Sequence, residues 1–435
     1  MFHFLLLCFI FLSFILKHFL SKPLPIYLID FSCLKPPNYC RVPFSSFLEN
    51  ASLIECFENE SISFMEKVLH SSGQSEQTCL PPSLHYIPPK THHSEAIKEF
   101  HMVIFPVMED LFAKTKISPF DIDILILNCS GFCPSPSLTS IVINKYAMKC
   151  DIKSYNVSGM GCSASALCID LAQNLLRVHK NSNAIVLSTE ILSNGWYPGK
   201  EKSKLLINCT FRMGSAAILL SNKKEASKNA KYLLLRTLRT LRAFDDKAYS
   251  CAIREEDSDG KLGVTLKRDI IDVTGETLRS NITILGSEIL PISQKLWYGV
   301  SMIKRRFNMF MKSEGDYYVP DFKSVIQHFC LPCPGKGVIR EVGKGLRLGE
   351  REIEAALMTL HRFGNQSSSS LWYELAYLEA KERVKKGDNI WLLGIGSGTK
   401  CCSVVFKCIR PILGEYEKGP WRDCIHQYPI LATSY

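Results

Sequence analysis

The stretch "IKSYNVSGMGCSASALCIDLAQNLLRVH" (152–179) constrains the fold more than any other part of the chain. Its first residues predict a strand. Gly159, Met160 and Gly161 predict a tight turn, and Ala164, Leu167, Leu171, Leu175 and Val178 recur at helical spacing from Ser163 onward. Strand, glycine turn and helix in immediate succession form one unit of an α/β sheet. The same logic recurs nearby. "DIDILILNCS", "NAIVLSTEI" and "GSAAILLSN" are short apolar runs bounded by turn residues, as strands buried on both faces require. Residues 94–115 and "SLTSIVINKYAM" predict helices between them.

The remainder extends this pattern. "PLPIYLIDFSCLKPP" predicts a short strand and a proline-rich loop, 45–72 a helix pair, 81–90 a loop, and 224–230 a polar turn before the strand "KYLLLRTLRT". From about 260 a second half begins. It ends in "NIWLLGIGSGTKCCSVVFKCI", two strands around a glycine loop. The expected division is 1–22, a hydrophobic anchor; 23–260, a first α/β half; and 261–435, a second of similar organisation.

Hydrophobic residues make up 46% and charged residues 22%, a balance that supports a packed core and argues against disorder. The net charge is +10, yet no Lys/Arg block is dense enough for a nucleic-acid arm. A membrane surface or an anionic substrate fits this charge, as does a merely basic surface. The 18 cysteines are irregularly spaced and several lie in apolar runs, so reduced, buried thiols are expected rather than a disulfide framework.

Residues 2–20 are nearly all apolar, about the length a bilayer span needs. A cleavable signal peptide is disfavoured, because no basic region precedes the run and no small-x-small site follows it. Lys17, Lys22, Lys35 and Arg41 lie on its C-terminal side, which by the positive-inside rule places the body of the protein in the cytosol.

Three elements carry chemistry. Cys162 stands on the strand-to-helix turn, where a helix N-terminus favours the thiolate and glycine backbone offers N–H groups to an oxyanion. A structural cysteine in a tight turn fits the local pattern equally. "GNQSSSSLWYELAYLEA" places Asn365 and a serine run before a helix, in the manner of a substrate-facing amide or of an ordinary cap with polar padding. "GIGSGTK" holds Gly396 and Gly398, suited to close approach of a thioester or phosphate, or to a plain hairpin turn. A fourth stretch, "HFCLPCPGKG" (328–337), carries Cys330-x-x-Cys333 beside His328. A metal knuckle there lacks a fourth ligand.

Taken together, "GMGCSA", "MTLHRFGNQSSSSLWYELAYLEAKERVKKGD" and "GIGSGTKC" resemble the plant 3-ketoacyl-CoA synthases, condensing enzymes of very-long-chain fatty acid elongation. The resemblance runs from "YLIDFSCLKPP" almost to the C-terminus. It implies a thiolase fold of two similar α/β halves in five layers, a homodimer or a heterodimer with related condensing enzymes, other elongase subunits as partners, and attachment to the endoplasmic reticulum membrane. Two N-terminal spans are usual in the family, whereas one is evident here. Acyl-CoA and malonyl-CoA are the implied substrates, with no metal, no other cofactor and no nucleic acid. Cys162 is the implied acyl carrier and Asn365 the amide that binds the malonyl thioester. His328 and His361 match two recurring histidines, and Gly159, Gly161, Gly396 and Gly398 match substrate-binding backbone.

The family text normally reads His-Phe-Cys-Ile-His where this chain has "HFCLP", so Pro332 stands in the place of the catalytic histidine. Proline has neither a titratable group nor a backbone donor. Leu241 likewise stands where a histidine is usual, and Ser158 where a glycine is usual. Two functions follow: a working very-long-chain condensing enzyme, or a weak or inactive relative that regulates or scaffolds active ones.

Overall fold

The computed structural model describes residues 24–300 and 320–430. The predicted anchor, residues 1–22, lies outside them. Among the described residues, no helix is long and apolar enough to cross a membrane.

Most strands form where a short apolar run is bounded by turn residues; β3 and β7, below, are polar and largely unburied exceptions. In the first half these are β1 (Tyr27–Cys33), β2 (Ile124–Asn128), β3 (Lys153–Val157), β4 (Asn183–Thr189) and β5 (Ser215–Ser221). In the second half they are β6 (Tyr232–Leu241), the hairpin β7 (Ala252–Glu256) and β8 (Leu262–Leu266), then β9 (His328–Cys330), β10 (Asn389–Gly396) and β11 (Lys400–Cys408). Helices α1 (Phe44–Ser52), α2 (Asn59–Ser72), α3 (His93–Thr115), α4 (Leu138–Tyr146), α5 (Ala164–Val178) and α6 (Lys202–Thr210) belong to the first half. The second holds α7 (Asp246–Ser250), α8 (Ile270–Ile289), α9 (Lys336–Gly345), α10 (Glu350–Phe363) and α11 (Ser370–Ala380).

Nine strands make one sheet in the order β3-β2-β4-β5-β1-β6-β11-β10-β9. The order reads as two copies of one motif, back to back. In the first, β2 and β4 are parallel, β4 and β5 antiparallel, and β5 and β1 antiparallel. In the second, β9 and β10 are parallel, β10 and β11 antiparallel, and β11 and β6 antiparallel. Only Tyr27 and Leu28 of β1, paired with Leu233 and Tyr232 of β6, join them. The join therefore falls between β5 and β6, so the second half begins before Tyr232 rather than near 260.

Alternation along the strands builds the layers. Ile124, Ile126, Ile218, Ile390 and Leu392 face inward with Cys168, Ile169 and Ala172 of α5 and Leu371, Trp372 and Leu375 of α11. The opposite faces, Leu125, Leu127 and Leu219 on one side and Trp391 and Leu393 on the other, meet two separate sets of outer helices. Outer helices, sheet, the α5/α11 pair, sheet and outer helices make five layers. Each fully buried Ile or Leu in these strands stabilises by about 1.5–3 kcal/mol, which explains why β2, β4 and β5, buried along their whole length, are mostly apolar. All 17 cysteines among the described residues are free, and most are buried.

Candidate active site

The halves place Cys162 and Asn365 in matching positions. A single 3-10 turn, Gly161–Ser163, precedes α5, and another, Ser367–Ser369, precedes α11. The helix predicted from Ser163 thus starts one residue later, after a turn that lifts Cys162 into a cavity. The polypeptide needs glycine here: Gly161 has φ +60°, and a side chain on it would meet the Ser397 nitrogen at 2.6 Å. A side chain on Gly396 would collide with the Met160 carbonyl and Ser163. The β10–β11 hairpin therefore packs directly on the turn that carries Cys162, and "GIGSGTK" makes a tertiary contact as well as a hairpin turn.

The serine run is structural wiring rather than padding. The Ser368 hydroxyl bonds Asn128 Nδ2 at 2.9 Å and the Ser188 hydroxyl at 2.8 Å, at the ends of β2 and β4. Ser369 Oγ donates to the Ser188 carbonyl at 2.9 Å, and Trp372 Nε1 to Ser165 Oγ at 2.5 Å. Ser368 and Ser369 thus tie the turn before α11 to β2 and β4, and Trp372 ties α11 to α5. Sequence reading assigned the serines no role, because their partners lie about 200 residues away.

Asn365 is buried and registered by backbone bridging to Phe211. Its Oδ1 accepts from the Ser367 N–H at 2.8 Å, which fixes the amide with oxygen toward the backbone and leaves Nδ2 as the donating end. Ser367 Oγ donates to Cys162 Sγ at 3.4 Å. The Gly161 N–H donates to Ser130 Oγ at 2.9 Å, so the loop after β2 also braces the turn. Burial pushes the Cys162 thiol up to about 11, against the lowering effect of the Ser367 hydroxyl; the Glu190 charge adds to the rise. Desolvation therefore outweighs the help expected from the helix N-terminus.

A cavity of about 1820 Å³ opens from this point. Cys162, Asn365, Gly159, Gly161, Gly396 and Gly398 all line it. Its far wall is apolar, including Leu278 and Ile282 of α8 and Val338 and Val342 of α9. Lys267, Arg268, Arg279 and Arg340, all exposed, add positive charge to the lining. Typical small-ligand pockets are about 300–1000 Å³, so this one is sized for a long ligand with an anionic end.

His328 and His361 are not among the lining residues. His328 begins β9, where Nε2 bonds Asp388 at 2.9 Å, and burial lowers its affinity for a proton despite that carboxylate. His361, on α10, meets the Tyr428 hydroxyl at 3.1 Å, and burial together with Arg362 pushes it down to about 4. No histidine lines the cavity among the described residues. Pro332 does line it, buried between Leu331 and Cys333. Leu241 lies exposed at the end of β6, outside the wall.

The cysteine pair of "HFCLPC" holds no metal-like cluster; among the described residues no group of three or more His, Cys, Asp or Glu is placed to bind one. Cys333 Sγ instead donates to Glu374 Oε1 at 3.0 Å, while Glu374 Oε2 accepts from the Leu331 N–H at 2.7 Å. Burial pushes Glu374 up to about 8. This carboxyl gave no sequence signal, since its partners lie about 40 residues away in another segment.

Residues 18–307 match the model of the FAE1/type III polyketide synthase-like protein family, and 323–408 match the C-terminal model of 3-oxoacyl-[acyl-carrier-protein] synthase III. The chain is 51% identical to 3-ketoacyl-CoA synthase 5 and 50% identical to 3-ketoacyl-CoA synthase 6, both of Arabidopsis thaliana. Each alignment spans 415 residues, 95% of this chain and 83% or 82% of the relative. In fold it is similar to a fungal type III polyketide synthase, ORAS, with TM-score 0.67, 15% identity, and 88% and 99% of the two chains covered. It is also similar to CsyB complexed with CoA-SH, with TM-score 0.66, 17% identity, and 88% and 100% covered. Matching halves, the paired turns and these likenesses agree: the chain has the thiolase-type α/β fold and belongs to the 3-ketoacyl-CoA synthase family.

Proposed function

We propose that the chain condenses a very-long-chain acyl-CoA with malonyl-CoA; its relatives' names, 3-ketoacyl-CoA synthases, give the class of product. The observation that carries this reading is the placement of Cys162 and the Asn365 amide on paired turns at the end of one large, mostly apolar cavity. Cys162 Sγ attacks the acyl thioester carbonyl, the acyl–sulfur bond to CoA breaks, and the thiol proton leaves with CoA. Malonyl-CoA then loses its carboxylate as CO₂, and the electron pair moves to the α-carbon and the thioester oxygen. Asn365 Nδ2–H donates to that oxygen as charge develops. The carbanion attacks the acyl-Cys162 carbonyl, forming the new C–C bond. Release of the Cys162 thiolate, which takes up one proton, gives 3-ketoacyl-CoA.

A second reading is favoured by Pro332 in the cavity wall, with no histidine lining the cavity. On it the chain turns over weakly or not at all and modulates active condensing enzymes. An edge strand supports pairing with such partners: β3 ends the sheet with only β2 beside it, and Ser154, Tyr155 and Asn156 are exposed. Localisation to the endoplasmic reticulum membrane, body toward the cytosol, rests on the apolar run at 2–20 and the basic residues after it. Purified chain in bilayers, given labelled malonyl-CoA and acyl-CoA, tests the readings. Product above that of Cys162→Ala supports turnover. Equal product from both, with chain-length profiles in cells unaffected by Cys162→Ala, supports the modulator.

A further inference from the structure

Ser367 touches both Asn365 and Cys162. Its N–H holds the Asn365 carbonyl oxygen at 2.8 Å, and its hydroxyl donates to Cys162 Sγ at 3.4 Å. It does this from a left-handed backbone, φ +56°, which a non-glycine residue adopts only when its surroundings over-determine it. That conformation is imposed by the bonds that follow it: Ser368 to Asn128 and Ser188, and Ser369 to the Ser188 carbonyl. Ser367 is buried against the protein yet lines the cavity. No imidazole shares that cavity among the described residues.

We propose that the Ser367 hydroxyl is the group that stabilises the Cys162 thiolate in this chain, and that the strained turn exists to hold it there. The inference rests on Cys162 being the acyl carrier. When the thiol gives up its proton, sulfur gains a full negative charge and the O–H···S contact becomes charge-assisted, stronger than in the neutral thiol. Ser367 does not remove the proton; it lowers the cost of its absence, and the proton goes to bulk water or to the departing CoA sulfur. The same residue fixes the amide direction of Asn365, so both halves of the reaction are set from one position.

The test reads the thiol and not the condensation. Full-length protein in bilayers is alkylated with iodoacetamide between pH 6 and 10, and the peptide containing Cys162 is quantified by mass spectrometry, apart from exposed Cys133 and Cys150. Ser367→Ala removes the hydroxyl and keeps the N–H that orients Asn365. Ser367→Gly also removes it, and relieves the backbone strain as well. Both variants are expected to label Cys162 about tenfold more slowly throughout this range, where the thiolate is the minority form and the rate follows its fraction. Unchanged profiles in both overturn the proposal. Slower labelling in Ser367→Ala alone also overturns it, because strain rather than the hydroxyl would then be the cause. A chain without turnover still gives this readout, so failure of the condensing reading and failure of this inference are separable.

Discussion

The loops after β2 and after β9 are built alike and do different things. In each, a buried carboxyl collects the loop's donors. Glu190 accepts from the Ser130 N–H at 3.1 Å, the Gly131 N–H at 2.8 Å and Cys129 Sγ at 3.5 Å. Glu374 accepts from the Leu331 N–H at 2.7 Å and Cys333 Sγ at 3.0 Å. Burial raises both carboxyls above the ordinary range. The first loop then turns a side chain to the chemistry, because Ser130 Oγ braces the Gly161 N–H. The second presents Pro332, which has nothing to donate. The frame of a loop and the side chain it presents are thus separate properties: the second loop has the same kind of scaffolding, while Pro332 at its tip can neither give nor take a proton.

Replacing that group is the strongest way to break the contrast. Pro332→His is expected to raise condensation by about 10²–10⁴-fold, the usual range for a positioned acid–base group. The frame around it, Glu374 on the flanking N–H, is already in place. Labelled malonyl-CoA incorporation measures the gain. No gain would mean that the second loop has lost more than its side chain.

How much of this was legible beforehand follows from range. The strand–turn–helix around Cys162 was readable because every residue that makes it is within about 20 positions. The strands were readable because full burial demands unbroken apolar runs. By contrast, the join at β5/β6 was invisible, since strand order is a long-range property. So was the role of Ser367, whose partner Cys162 is 205 positions away. The bond that Cys333 makes was hidden for the same reason: the acid sits 41 residues on, in a helix where an apolar residue would fit the pattern as well.

Within the Pro332→His background, Asn365→Ala sharpens the comparison from the other turn. Loss of the Nδ2 donor at the developing enolate oxygen is expected to cost about 10²–10³-fold in kcat. Acyl transfer to Cys162, followed as labelled acyl-protein, should fall much less. Equal losses in both steps would place Asn365 in holding the turn rather than in binding the thioester.

Gly396→Ala asks whether the hairpin and the nucleophile turn are in register. The added methyl meets the Met160 carbonyl and Ser163, so one backbone must retreat. Overpacking of this kind costs about 1–3 kcal/mol. A lower Tm together with slowed Cys162 alkylation is the expected pair of results. A lower Tm with unchanged alkylation would show that the hairpin moved and the turn did not.

A pH-dependent effect separates the two carboxyls. Glu374 binds its proton up to about pH 8 in the folded chain and about pH 4.5 when free. Between those values the folded state holds more protons than the unfolded one, so raising pH lowers stability across that window. One group changes the slope by at most about 1.4 kcal/mol per pH unit. Glu374→Gln cannot ionise, and its carbonyl oxygen can still accept from the Leu331 N–H. Denaturant melts of the two proteins at pH 5 and pH 8 should show a smaller drop for the variant, with most of the gain at pH 8. Identical drops would mean that Glu374 stays ionised in its pocket, paired in a way that the bonds to Leu331 and Cys333 do not account for. The loop after β9 would then carry a buried charge, and its likeness to the Glu190 loop would end at the backbone.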